Sequence, residues 1–171
     1  TSAGEIYTTG NNTYSQLGID ETRTNKFTKV AGVSNIIDVD AGNNHNVAIT
    51  TSGDVYVWGS NIYGQLGLGD RTNRNVPTKV EDIRNIEDIS AGRANTMLLE
   101  NTGKIYMTGA NTEGEIGDGT KDTKDKFVEV TRIPDAISVT TGNTYSLAIR
   151  KDGTLWGWGD YNHGEANKES K

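Results

Sequence analysis

Residues 41–49 read Ala41-Gly42-Asn43-Asn44-His45-Asn46-Val47-Ala48-Ile49, residues 52–59 read Ser52-Gly53-Asp54-Val55-Tyr56-Val57-Trp58-Gly59, and residues 60–69 continue SNIYGQLGLG. Val47 and Ile49, then Val55 and Val57, repeat at a spacing of two, the period of a strand with one buried face. Gly42 falls between two such runs, where a turn needs a positive φ or a close backbone approach. Ser52-Gly53 matches the chemistry of a two-residue hairpin turn before the next strand.

This stretch recurs. Residues 4–10 (GEIYTTG), 53–59 (GDVYVWG), 103–109 (GKIYMTG) and 153–159 (GTLWGWG) align without gaps, at glycine offsets of 49, 50 and 50. A second motif follows at 12–18 (NTYSQLG), 61–67 (NIYGQLG) and 111–117 (NTEGEIG), and has drifted at 161–167 (YNHGEAN). A third block occurs at 37–49, 87–99 and 137–149, with Gly42, Gly92 and Gly142 in register. Short fourth strands are expected at 27–30, 76–80 and 127–130, and no ten-residue stretch holds a helical apolar period. Four strands in each ~50-residue unit predict an all-β chain, a partial β-propeller of about 3.5 four-stranded blades. A blade cannot bury both its faces alone, so successive blades must stack. Trp58 and Trp158, with Tyr7, Tyr56, Tyr106 and Trp156 one period apart, are read as blade-to-blade packing.

Composition narrows the function classes. The chain has 171 residues, 21 Gly and 2 Pro, with 17 basic against 23 acidic residues and a net charge of −6. That balance argues against a nucleic-acid partner, which normally requires clustered positive charge. The absence of cysteine excludes disulfides, thiolate metal sites and Cys nucleophiles, and two His leave little for a metal or a catalytic triad. Apolar runs are far below the ~20 residues of a membrane span. Asp118, Asp122 and Asp125 invite a calcium reading, but they miss the alternating loop order and Lys121 and Lys124 interrupt them. No catalytic residue, metal or cofactor is expected.

The pattern AGxxHxxAI, TSGDVYVWG, SNxYGQLGLGD resembles the repeat of the regulator of chromosome condensation family. Residues 41–49 match its first half, 52–59 its hairpin, and Asn61, Gly64, Gln65, Leu66, Gly67 and Gly69 the loop that follows. The resemblance covers nearly the whole chain and implies a propeller whose members mostly act as protein-binding platforms. Its best-known member is a guanine-nucleotide exchange factor for a small nuclear GTPase. Exchange factors of this kind use a wedge inserted in one blade, for which the regular spacing here leaves no room. Other relatives are bacterial propellers that plug β-lactamases with one face of the ring. The family favours His at the position of His45, whereas Asn95 and Tyr145 stand in the other two copies. This favours a side chain that ties the turn by hydrogen bonds over a catalytic His.

The loops after the glycine turns are the expected binding surface: Asn43, Asn44 and His45; Arg93 and Asn95; Asn143, Thr144 and Tyr145. A propeller sets the same loop of every blade on one end of the ring, and such residues suit adaptable polar contact. The expected function is a non-catalytic protein-interaction module. The alternatives are exchange on a small GTPase, or a bacterial surface or secreted domain that binds carbohydrate or protein. The Thr- and Asn-rich, cysteine-free, acidic composition is compatible with a bacterial secreted or cell-surface location, the cytoplasm being the alternative. Residues 1–171 are read as one repeat region, with hairpins starting near Gly4, Gly53, Gly103 and Gly153, cut from a longer chain. Three complete repeats cannot close a ring of four or more blades. Self-association as a homodimer through exposed blade faces is therefore expected.

Overall fold

Val47, Ile49, Val55 and Val57 are all fully buried on one face of one sheet, as their spacing requires. The computed structural model describes residues 1–160, and within them every regular element is a strand. The first sheet pairs β1 (Tyr7–Asn11) with β2 (Arg23–Lys29). The second runs in sequence order through β3 (Ile36–Ala41), β4 (His45–Thr50), β5 (Val55–Gly59) and β6 (Arg74–Lys79). The third repeats this with β7 (Ile86–Ala91), β8 (Asn95–Glu100), β9 (Ile105–Gly109) and β10 (Lys124–Glu129). The fourth holds β11 (Ala136–Thr141), β12 (Tyr145–Arg150) and β13 (Leu155–Gly159). Each is antiparallel, so the described residues form a partial propeller of two complete blades flanked by a two-stranded and a three-stranded one. The drifted motif at 161–167 lies outside the described residues.

The core is made between blades. One cluster joins Val47, Ile49, Val55 and Val57 to Ile86, Ile89, Ala91 and Leu98 of the next sheet. The other joins Met97, Leu99, Ile105 and Met107 to Ala136, Val139 and Ala148. Each such Val, Leu, Ile or Met side chain contributes about 1.5–3 kcal/mol on leaving water. Trp58 is 2% exposed, Trp156 and Trp158 pack on the second cluster and Tyr106 on the first. Tyr56 is only half-buried and Tyr7 is exposed. The aromatics of the third strand therefore pack unequally, according to which neighbouring strands stand beside them.

One turn reading changes and another narrows. The Ser52-Gly53 hairpin holds three residues, not two. Thr50 N donates to the Asp54 carbonyl at 3.0 Å and Gly53 N to the Thr50 carbonyl at 2.9 Å, with Gly53 at φ 74. Thr51 and Ser52 make the turn, and Gly53 is the left-handed residue of the bulge that restores the strand twist. Gly92 has no left-handed φ and is required by close approach instead. A Cβ there would lie 2.3 Å from the Gly142 carbonyl and 2.2 Å from Asn95 Oδ1. The outermost strands also begin earlier than expected, at Arg23, Arg74 and Lys124, beyond a register shift in each pairing.

Candidate functional site

β7 lies against both β3 and β11, so the first strand of each of these sheets is innermost. These strands are clasped by polar side chains. Asp40 Oδ2 accepts from Ala91 N at 2.8 Å, Asp88 Oδ2 from Val139 N at 3.1 Å, and Ser90 Oγ from Thr141 N at 3.1 Å. The turns above them form a ladder: Asn43 N donates to the Gly92 carbonyl at 3.3 Å, and Arg93 N to the Gly142 carbonyl at 3.2 Å. Residues 41–43, 91–93 and 141–143 thus ring an open depression of about 500 Å³.

The turns bring the eight expected binding residues to one end but do not expose them all. Asn43, Arg93 and Asn143 are exposed, and Asn44, Thr144 and Tyr145 are half-buried. His45 and Asn95 are each 1% exposed, so they are withdrawn from any contact surface. The cause is the next blade. His45 Nε2 meets Thr96 Oγ1 at 3.0 Å, and Thr96 Oγ1 donates to the Gln65 carbonyl at 2.6 Å. The Thr96 proton is therefore engaged, so His45 carries its own proton on Nε2 and Nδ1 is a bare acceptor. Nδ1 has no partner, nor has Asn95 Nδ2. Burial pushes the His45 pKa down to about 4, against the opposing pull of the Asn95 backbone and the Asp40 carboxylate. Asn95 Oδ1 likewise accepts from Thr141 Oγ1 at 3.0 Å. At Tyr145 no further blade follows among the described residues, and the ring stays half-open.

A second set of loops reaches the same end, because β5 and β9 run antiparallel to β4 and β8, placing Gly59 opposite His45 and Gly109 opposite Asn95. Each loop is built around a buried Asn. Asn61 Oδ1 accepts from Leu66 N at 2.9 Å while its Nδ2 donates to the Asp70 carbonyl at 2.9 Å; Asn12 and Asn111 repeat the arrangement. The loop carbonyls tie to the next blade: Gln16 O accepts from Trp58 Nε1 at 3.1 Å, and Glu115 O from Trp158 Nε1 at 2.7 Å. At the loop tips Tyr14, Ile62 and Tyr63 are 43%, 52% and 47% exposed. The sequence reading missed these three. The available signal was an aromatic recurring one period apart where no strand alternation claims it.

Of the carboxylates weighed for calcium, Asp118 is already engaged. Lys124 Nζ sits 2.9 Å from Asp118 Oδ2, and Asp118 Oδ1 accepts from Thr120 N at 2.9 Å. Burial pushes the Asp118 carboxyl up, but Lys124 and Thr120 outweigh it and hold its pKa below the usual value. A lysine thus occupies the place a cation would take.

Two family models of the regulator of chromosome condensation (RCC1) repeat match the chain, one over residues 3–49 and 52–99, the other over 36–65 and 136–165. Human WBSCR16 has a similar structure, with a TM-score of 0.84 at 20% identity over 93% of this chain and 43% of that one. Yeast RCC1 (Prp20), solved bound to Kap60, has a TM-score of 0.81 at 23% identity over 92% of this chain and 40% of that one. Prp20p from Saccharomyces cerevisiae, described with its binding properties to Gsp1p and histones, gives 0.78 at 23% identity over 91% and 41%. The chain thus spans about two fifths of the length of these proteins. No curated protein matches by sequence. At these identities the structural likeness carries the fold.

Proposed function

The chain belongs to the regulator of chromosome condensation (RCC1) repeat family, and from that membership we propose that it is a non-catalytic module that binds a partner protein through the turns on one propeller face. One observation carries the reading: Asn43, Arg93 and Asn143 occupy equivalent places around the axial depression and all three are exposed. Arg93 is the one titratable residue lining it, and its guanidinium makes no hydrogen bond or ion pair among the described residues. The nearby His45 is sealed beneath the floor and neutral, which suits a scaffold better than acid–base chemistry. Yeast RCC1, similar in fold, is a protein solved with a protein partner. Self-association through the open blade faces belongs to the same proposal.

The test compares the immobilised chain with a variant carrying Asn43→Ala, Arg93→Glu and Asn143→Ala, both shown folded by circular dichroism. Proteins retained from an extract of the source cells are identified by mass spectrometry. At least one retained protein should be lost with the variant. Retention of the same proteins by both would overturn the assignment of this face.

A further inference from the structure

The loop tips on the turn face hold exposed apolar side chains on a hydrogen-bonded backbone. Ser15 N closes a turn onto the Asn12 carbonyl at 3.0 Å, and Gly64 N onto the Asn61 carbonyl at 2.9 Å, so Tyr14, Ile62 and Tyr63 stand at the apices. The apex amides are capped from below: Tyr14 N donates to Gln16 Oε1 at 2.8 Å, and Tyr63 N to Gln65 Oε1 at 2.9 Å. Gln65 is 2% exposed and Asn61 fully buried, so the support is packed while the tip is bare. The hydroxyls of Tyr14 and Tyr63 make no hydrogen bond among the described residues. About half of each of these side chains faces water, and such apolar exposure costs solubility. The corresponding apex of the third loop is Glu113, paired with Lys121 at 3.7 Å. The face therefore carries an apolar sector beside a charged one, the composition of an interface core and its rim.

Resting on the protein-binding reading above, we propose that Tyr14, Ile62 and Tyr63 are the anchors of that interface, and that the partner is a folded protein offering apolar recesses to them. The shape decides the class. Small ligands and sugars are taken by concave sites, whereas these tips project, so the partner must supply the concavity. Ile62 has no flat face for a sugar ring to stack on, yet gains fully from burial in a protein pocket. Anchors held in their bound geometry lose little entropy on docking, which is where rigid aromatic residues gain affinity.

Photo-crosslinking separates this inference from the reading it rests on. Benzoylphenylalanine replaces Tyr14, Tyr63, Arg93 or, on the opposite end of the ring, Lys151, each in the full chain. Irradiation in an extract of the source cells is followed by mass spectrometry of the adducts. The expected result is the same partner protein joined at positions 14 and 63, little adduct at 151, and a yield at position 14 roughly tenfold lower or less when Ile62→Asp is added. Adducts at position 93 without any at 14 and 63 would overturn the anchors and leave the axial turns as the site. Adducts at none of 14, 63 and 93, or equal yields at 151, would overturn both. Carbohydrate in place of protein at 14 and 63 would overturn the partner class.

Discussion

His45 shows how one residue changes meaning once its neighbours are known. In sequence it follows two Asn in a turn and looks available; in the fold its ring is buried and bonded to Thr96 of the next blade. An ordinary His titrates near 6.5, and burial lowers this one to about 4. The unfolded chain thus binds the proton more readily, and stability falls as pH drops from 6.5 toward 4. The loss should reach about 2 kcal/mol at pH 5. His45→Asn, the side chain found at the equivalent position 95, should remove this dependence, and urea midpoints at pH 7.5 and 5 check it. Gly92 belongs to the same scale. Gly92→Ala sets a Cβ against the Gly142 carbonyl and Asn95. It should cost about 1–3 kcal/mol, the range for forcing atoms into a filled site, again read by urea unfolding.

At the scale of the element, a blade is held to its neighbour by a packed face and by hydrogen bonds at its rim, and these can be separated. Leu98 on β8 is fully buried in the first cluster, so Leu98→Ala should cost about 2–5 kcal/mol. Trp58→Phe keeps most of the packing but loses the 3.1 Å bond to the Gln16 carbonyl, and should cost about 1 kcal/mol. A Trp58→Phe loss as large as that of Leu98→Ala would mean that the rim bonds dominate. Strands were readable from the period-2 spacing of Val47, Ile49, Val55 and Val57, because one buried face imposes it locally. The three-residue hairpin at 51–53 was not, because Ser-Gly suits either loop length and cross-strand pairing of Ile49 with Val55 settles which forms.

At the scale of the whole molecule, apolar faces toward the two ends of the described residues differ from those between the central blades. Val39 is 46% exposed, whereas Ile89 and Val139 at the equivalent places are 5% and 6%. Ile149 and Leu155 of the last sheet are 41% and 66% exposed, whereas Ile49 and Val55 are fully buried. Apolar faces of this kind associate in water. Light scattering should give a mean mass above the 18.5 kDa of one chain, rising with concentration. Ile149→Asp with Leu155→Lys should lower it. A constant 18.5 kDa over a tenfold range would contradict association through these faces.

The sequence alone determined the repeat, its strands and its family, since each is written within about fifty residues and confirmed by its own recurrence. The tertiary structure decided which turn residues face water. His45 and Asn95 are buried by Thr96 and Thr141, which lie in the following repeat. Tyr63 joins the turn face because antiparallel pairing returns its loop to the same end, and Tyr14 because the Gln16 carbonyl of its loop bonds Trp58 of the next blade. Burial is a property of what arrives from elsewhere in the chain, and the period of a motif carries no record of it.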